Sequence, residues 1–147
     1  MFGSTATTYE RIVDTMIELA HAAATHRIVV AGPQSAQVLG DLHRRGYVRS
    51  TTVRAARVSR GQHEVALVAW HGPPSRALEA TLVQLVPFLS ASGVLVVWVG
   101  LRDPLLNQQL RKTLARLGFR IESGTGCGNG IAVAARRLDS IPAAVAA

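Results

Sequence analysis

The sequence predicts an α/β fold, a doubly wound and mostly parallel sheet with helices on both faces and a C-terminal antiparallel hairpin. Three observations predict it. The runs Arg27–Ala31 (RIVVA), His63–Trp70 (HEVALVAW) and Gly93–Val99 (GVLVVWV) are apolar at nearly every position, as strands covered on both faces are. Between and after them lie stretches with apolar residues at helical spacing, and strands alternating with helices imply parallel crossovers. Finally, only the loop Gly124–Gly130 (GTGCGNG) separates the last two strand-like segments. That is too short for a crossover helix, so the last strand is expected to run antiparallel.

Taken in order, Thr7 and Glu10 have capping-box spacing ahead of Ile12, Val13, Met16, Ile17 and Ala20, which predicts a helix over Thr8–Ala24. The strand Arg27–Ala31 is broken by Gly32-Pro33. From Gln34 a helix follows with Val38, Leu39 and Leu42 on one face and Gly46 as its C′ residue. Within Tyr47–Ser59, Thr51, Thr52, Val53 and Val58 favour an edge strand interrupted by Arg54 and Arg57. Gly72-Pro73-Pro74 ends the His63–Trp70 strand. Ser75 can then cap a helix striped by Leu78, Leu82, Leu85 and Leu89, which Pro87 should kink or terminate. Asp103-Pro104 reads as an N-cap with proline at N1, leading into Leu106, Leu110, Leu114 and Leu117, with Gly118 closing the helix. Phe119 and Ile121 alternate with Arg120 and Glu122 in a strand with one solvated face, and Ile131–Arg136 forms its hairpin partner.

The chain of 147 residues fits one domain, with residues 1–7 and 139–147 expected to fray. No strictly apolar run is longer than Val94–Val99, which falls far short of the ~20 residues that span a bilayer, so no membrane segment is expected. The N-terminus lacks a basic patch before an apolar stretch, so no signal peptide is indicated. Cys127 is the single cysteine, which excludes an intrachain disulfide and fits a reducing, cytoplasmic setting. A net charge of +7 favours an acidic partner. All the basic residues but Lys112 are arginine, however, among many alanines, which is also the mark of compositional bias.

The order of elements and several local phrases resemble the class I S-adenosylmethionine-dependent methyltransferase family. IVVAGPQSAQVLGDLHRRGY is similar to that family's first strand, glycine loop and helix, and HEVALVAW to its strand with a Phe-Asp-Val type phrase. LVQLVPFLSASGVLVVWV is similar to its helix, turn and fifth strand. LARLGFRIESGTGCGNGIAVAARR resembles its closing helix and hairpin. The resemblance implies an S-adenosylmethionine cleft around Gly32, Pro33, Gln34, Ser35 and Trp70, with His71 as a candidate catalytic base.

Departures fall on the cofactor motifs. Ala31 takes the position of the family's acid, while Gln34 and Ala36 stand where further glycines are expected. Where the family presents a carboxylate to the ribose, the chain offers Val53-Arg54-Ala55-Ala56, with no acid between Asp41 and Glu64. Ser59–Gln62 is also too short for the crossover to His63, so the family's third strand and its helix are expected to be reduced or missing. These departures predict weak or no cofactor binding and a role as a binding or assembly module, with an active divergent methyltransferase as the alternative.

Other constellations have bland counterparts. Arg44, Arg45, Arg49, Arg54, Arg57 and Arg60 could bind phosphate backbones or serve as a solvated helix end and edge strand. Cys127 reads as part of a flexible hairpin loop, or as a nucleophile if a base stood near it. GTGCGNG lacks the Lys-Ser/Thr of a phosphate loop, and His21 and His26 lack companions for a metal. An exposed sheet edge makes a homodimer plausible.

Overall fold

The computed structural model describes residues 4–54, 61–72 and 74–137, with the backbone alone for 4–9. Helix α1 spans Ser4–Ala20, strand β1 Ile28–Ala31, α2 Ser35–Arg44, β2 Ser50–Thr52 and β3 His63–Trp70. Then follow α3 (Arg76–Leu85), β4 (Leu89–Val99), α4 (Pro104–Arg116), β5 (Phe119–Cys127) and β6 (Gly130–Arg137). The six strands lie in the order β2-β1-β3-β4-β6-β5. β2, β1, β3 and β4 are mutually parallel, and β6 runs antiparallel to both β4 and β5. The expected mixed sheet with its closing hairpin is therefore the fold.

Strand pleating sends alternate residues to opposite faces. Val29 and Ala31 pack with Leu78, Leu82 and Leu110 beneath α3 and α4. Their neighbours Ile28 and Val30 pack with Ile12, Met16 and Leu42 beneath α1 and α2. Each such side chain contributes about 1.5–3 kcal/mol when fully buried, and most of β3 and β4 is buried on both faces. Helix starts follow local chemistry: Ser75 Oγ accepts from the Leu78 amide and Asp103 Oδ1 from the Leu105 amide. α1 and α2 are joined by charge. Asp41, 5% exposed, accepts from Arg44 (3.0 Å) and Arg45 (2.8 Å), and Arg45 also pairs with Asp14 of α1.

Several boundaries move. α1 starts at Ser4, ahead of the expected capping box, and stops at Ala20 instead of Ala24. His21 takes a left-handed φ of 52°, and the Ala22 amide turns back to the Ile17 carbonyl. β2 is three residues long; Val58 and Arg57, expected beside it, lie outside the described residues. Pro87 does end α3, in a 3-10 turn over Val86–Phe88. Leu89, expected on the helix, instead opens β4, four residues before Gly93. The pairing jumps from His63↔Leu89 to Val65↔Val94, so Ser90–Gly93 bulge out of the ladder.

The expected loop 124–130 is largely strand. β5 continues to Cys127, and Gly128-Asn129 alone make the turn, with Gly128 at φ 62°. A two-residue hairpin with glycine first is a favoured geometry. An irregularity between Ile121 and Ser123 resets the register, so Gly124 and Gly126 face the α4 side and Cys127 the α1 side.

Between Thr52 and His63 the described residues add neither strand nor helix, which makes the β2 side of the sheet its short side. No helix among them is long and apolar enough to cross a membrane.

Candidate functional site

The chain leaves β1 through Gly32, whose φ of 105° closes a turn in which the Ser35 amide meets the Gly32 carbonyl at 3.1 Å. A Cβ at Gly32 would also stand 3.2 Å from the Ala69 carbonyl. The turn thus needs glycine for both conformation and space. Gln34, the residue before α2, makes no side-chain cap. From β1 the chain moves outward through α2 to β2, then returns to β3 on the other side of β1. The crevice between these strand ends is a topological switch point, where open α/β sheets bind ligands.

A cleft of about 540 Å³ occupies that position, within the usual range for small-molecule sites, about 300–1,000 Å³. Its apolar wall includes Ala31, Val53 and the half-buried Trp70. Among the described residues its polar lining comprises Ser35, Thr52, Thr81 and Gln84, with Arg54 as the single charged one. A smaller hollow of about 260 Å³ lies between α3 and α4 and is bridged by the Arg116–Glu79 ion pair. The larger one is the better candidate on size and topology.

Of the residues expected to hold a cofactor, Gly32, Pro33, Ser35 and Trp70 line this cleft, and Gln34 does not. His71 is outside the lining; its ring packs edge-on against Trp98 at 5.1 Å. Arg44 and Arg45 are held by Asp41, Arg49 donates to the Thr25 carbonyl, and Arg54 lines the cleft. Arg57 and Arg60 lie outside the described residues. Burial alone would lower the pKa of Arg45, but its hydrogen bonds to Asp14 and Asp41 outweigh that and raise it.

Cys127 is not in a flexible loop. It is buried at the end of β5, where its thiol accepts from Thr15 Oγ1 at 3.2 Å and lies 3.6 Å from the Arg11 carbonyl. Among the described residues no histidine hydrogen-bonds to it, the contact by which a base would activate a thiol. Among the described residues no three His, Cys, Asp or Glu side chains gather as a metal site requires.

Thr81 and Gln84 escaped the sequence reading. They are polar positions beside the buried stripe of α3, and only the way α3 crosses β1 turns them toward the cleft. Arg54 was visible as a charge but not as a lining residue.

No protein-family model matches the chain, and no curated protein matches it significantly. Solved structures do. The chain superposes on 1,6-didemethyltoxoflavin-N1-methyltransferase of Burkholderia thailandensis with a TM-score of 0.67 and 11% identity, covering 92% of this chain and 82% of that one. The ribosomal protein L11 methylase of Lactobacillus delbrueckii subsp. bulgaricus gives 0.67 and 16%, covering 90% and 79%. A chain of the complex between the Haloferax volcanii Trm112 methyltransferase activator and the putative methyltransferase gives 0.68 and 6%, covering 93% and 92%. Identities this low carry fold alone. The chain has the class I S-adenosylmethionine-dependent methyltransferase fold, shortened on the β2 side.

Proposed function

We propose that the chain is a methyltransferase-fold binding module whose cleft takes a ligand without efficient methyl transfer. The observation that carries this reading is the charge of the cleft lining among the described residues: one arginine, Arg54, and no carboxylate. S-adenosylmethionine carries a sulfonium cation and a ribose diol. The cation is repelled by an arginine, and the diol needs an acceptor that a guanidinium, a donor only, does not supply. Ala31 leaves the end of β1 equally without an acid. An assembly role would use a sheet edge such as β5, which among the described strands pairs with β6 alone and leaves its outer backbone groups for a partner. Calorimetric titration with S-adenosylmethionine tests the reading: no binding at micromolar concentration is expected, and clear 1:1 binding there overturns it.

One observation favours the alternative of an active, divergent methyltransferase: the cleft over Gly32 is not filled by side chains of the described residues. On that reading His71 works beside the cofactor, and His71→Ala lowers methyl transfer at least tenfold. An unchanged rate removes His71 from the site.

A further inference from the structure

A second cleft, of about 470 Å³, lies between the start of α4 and strand β5, with Arg102, Asp103, Asn107, Arg111, Gly124 and Gly126 in its lining. Its two arginines lie directly over the two glycines. A Cβ built on Gly124 would stand 2.8 Å from Arg111 Nη2, and one on Gly126 would stand 2.7 Å from Arg102 Nη2 and 2.9 Å from its Cζ. Neither glycine has a positive φ, so no turn geometry demands them. Without a Cβ at either position the guanidinium groups lie close against the strand. Gly124 and Gly126 are two residues apart on one face of a strand, about 7 Å, and this sets the spacing of the cations above them.

Two like charges held side by side favour a counter-charge, and among the described lining residues Asp103 alone carries one. Neither arginine has a carboxylate within salt-bridge distance, although Arg44, Arg45, Arg116 and Arg136 all do. Arg111 Nε donates at 3.4 Å to Asn107 Oδ1, a neutral acceptor. Asp103, the one acid at the cleft, spends Oδ1 on the Leu105 amide as the cap of α4. We infer that this cleft is an anion site in which Arg102 and Arg111 clasp the terminal phosphate of a small phosphorylated molecule. A phosphate accepts from donors on opposite sides at about 2.8 Å each, so it spans guanidinium nitrogens about 8 Å apart. The inference does not depend on what the Gly32 cleft binds.

The test is calorimetry of the full chain with pyrophosphate at low ionic strength. Arg111→Ala and Arg102→Ala should each weaken binding at least tenfold. Gly126→Ala keeps both charges and a permitted backbone but fills the space under Arg102, and it should weaken binding at least fivefold. Arg120→Ala, an exposed arginine of β5 away from the cleft, should change it less than twofold. Parent-like binding by Gly126→Ala, or an equal loss in Arg120→Ala, overturns the site in favour of diffuse attraction to a basic surface. A single-stranded oligonucleotide that binds a hundredfold more tightly than pyrophosphate, with affinity falling steeply in salt, overturns the small-molecule assignment.

Discussion

The two edges of the sheet are built to different standards. At one edge, β5 and β6 are nine and eight residues long and pair along almost their whole length. There Gly130 packs so tightly that a Cβ would stand 2.1 Å from the Val99 carbonyl and 2.8 Å from the Trp98 ring. At the other edge β2 has three residues and three pairings to β1, and beyond it Arg54 stands exposed at the mouth of the Gly32 cleft. Stability therefore resides in the β3-β4-β6 block, while the larger cleft opens at the thin edge, where side chains can change at little cost to folding.

Substitutions can break this contrast. Trp98→Ala carries the largest expected effect. The ring is 1% exposed and its Nε1 donates to the Cys127 carbonyl at 3.1 Å, so its loss should cost about 3–5 kcal/mol by urea unfolding. Next comes Asp41→Ala, which removes the buried acceptor of two arginines at the α1–α2 junction and should cost about 1–3 kcal/mol. Arg54→Glu, at the thin edge, should move stability by no more than about 0.5 kcal/mol. It supplies the carboxylate the cleft lacks, so it should raise affinity for S-adenosylmethionine at least tenfold by calorimetry. A loss of stability as large as that of Trp98→Ala would erase the difference between the edges.

The smallest effect is expected at the exposed pair of Glu122 and Arg136. Their hydrogen bond at 2.9 Å holds the Glu122 carboxyl below its usual value of 4.5, with slight burial opposing. A carboxylate with a lowered folded pKa stabilises the chain above the unfolded value and loses that contribution as pH falls through the folded one. Parent and Glu122→Gln should therefore differ slightly above pH 4.5 and converge in acid, as read by thermal melts. A difference that grows on acidification would contradict the assignment.

The block that carries stability was also the part most legible from sequence. Strands buried on both faces, such as His63–Trp70, announce themselves by continuous apolar residues, and Ser75 and Asp103 mark their helices through local capping. Leu89 and the hairpin were misplaced for a shared reason. Whether apolar or glycine-rich residues join a strand depends on the partner strand, which local pattern does not contain. The turn at Gly32 is local chemistry, whereas the grouping of Gly32, Pro33, Gln34, Ser35 and Trp70 around one crevice came from the family resemblance, and all but Gln34 line it. Thr81, Gln84 and the pairing of Arg102 with Gly126 depend on how helices cross the sheet, and no spacing rule foretells that.

The burial of Cys127 has a practical consequence. Its thiol is the only one in the chain, and it is closed off by Thr15 and Arg11 of α1. A thiol reagent can reach it only when α1 lifts from the hairpin end. The rate of labelling thus clocks that opening, giving the protein an intrinsic reporter of local unfolding at a single seam, without any introduced probe.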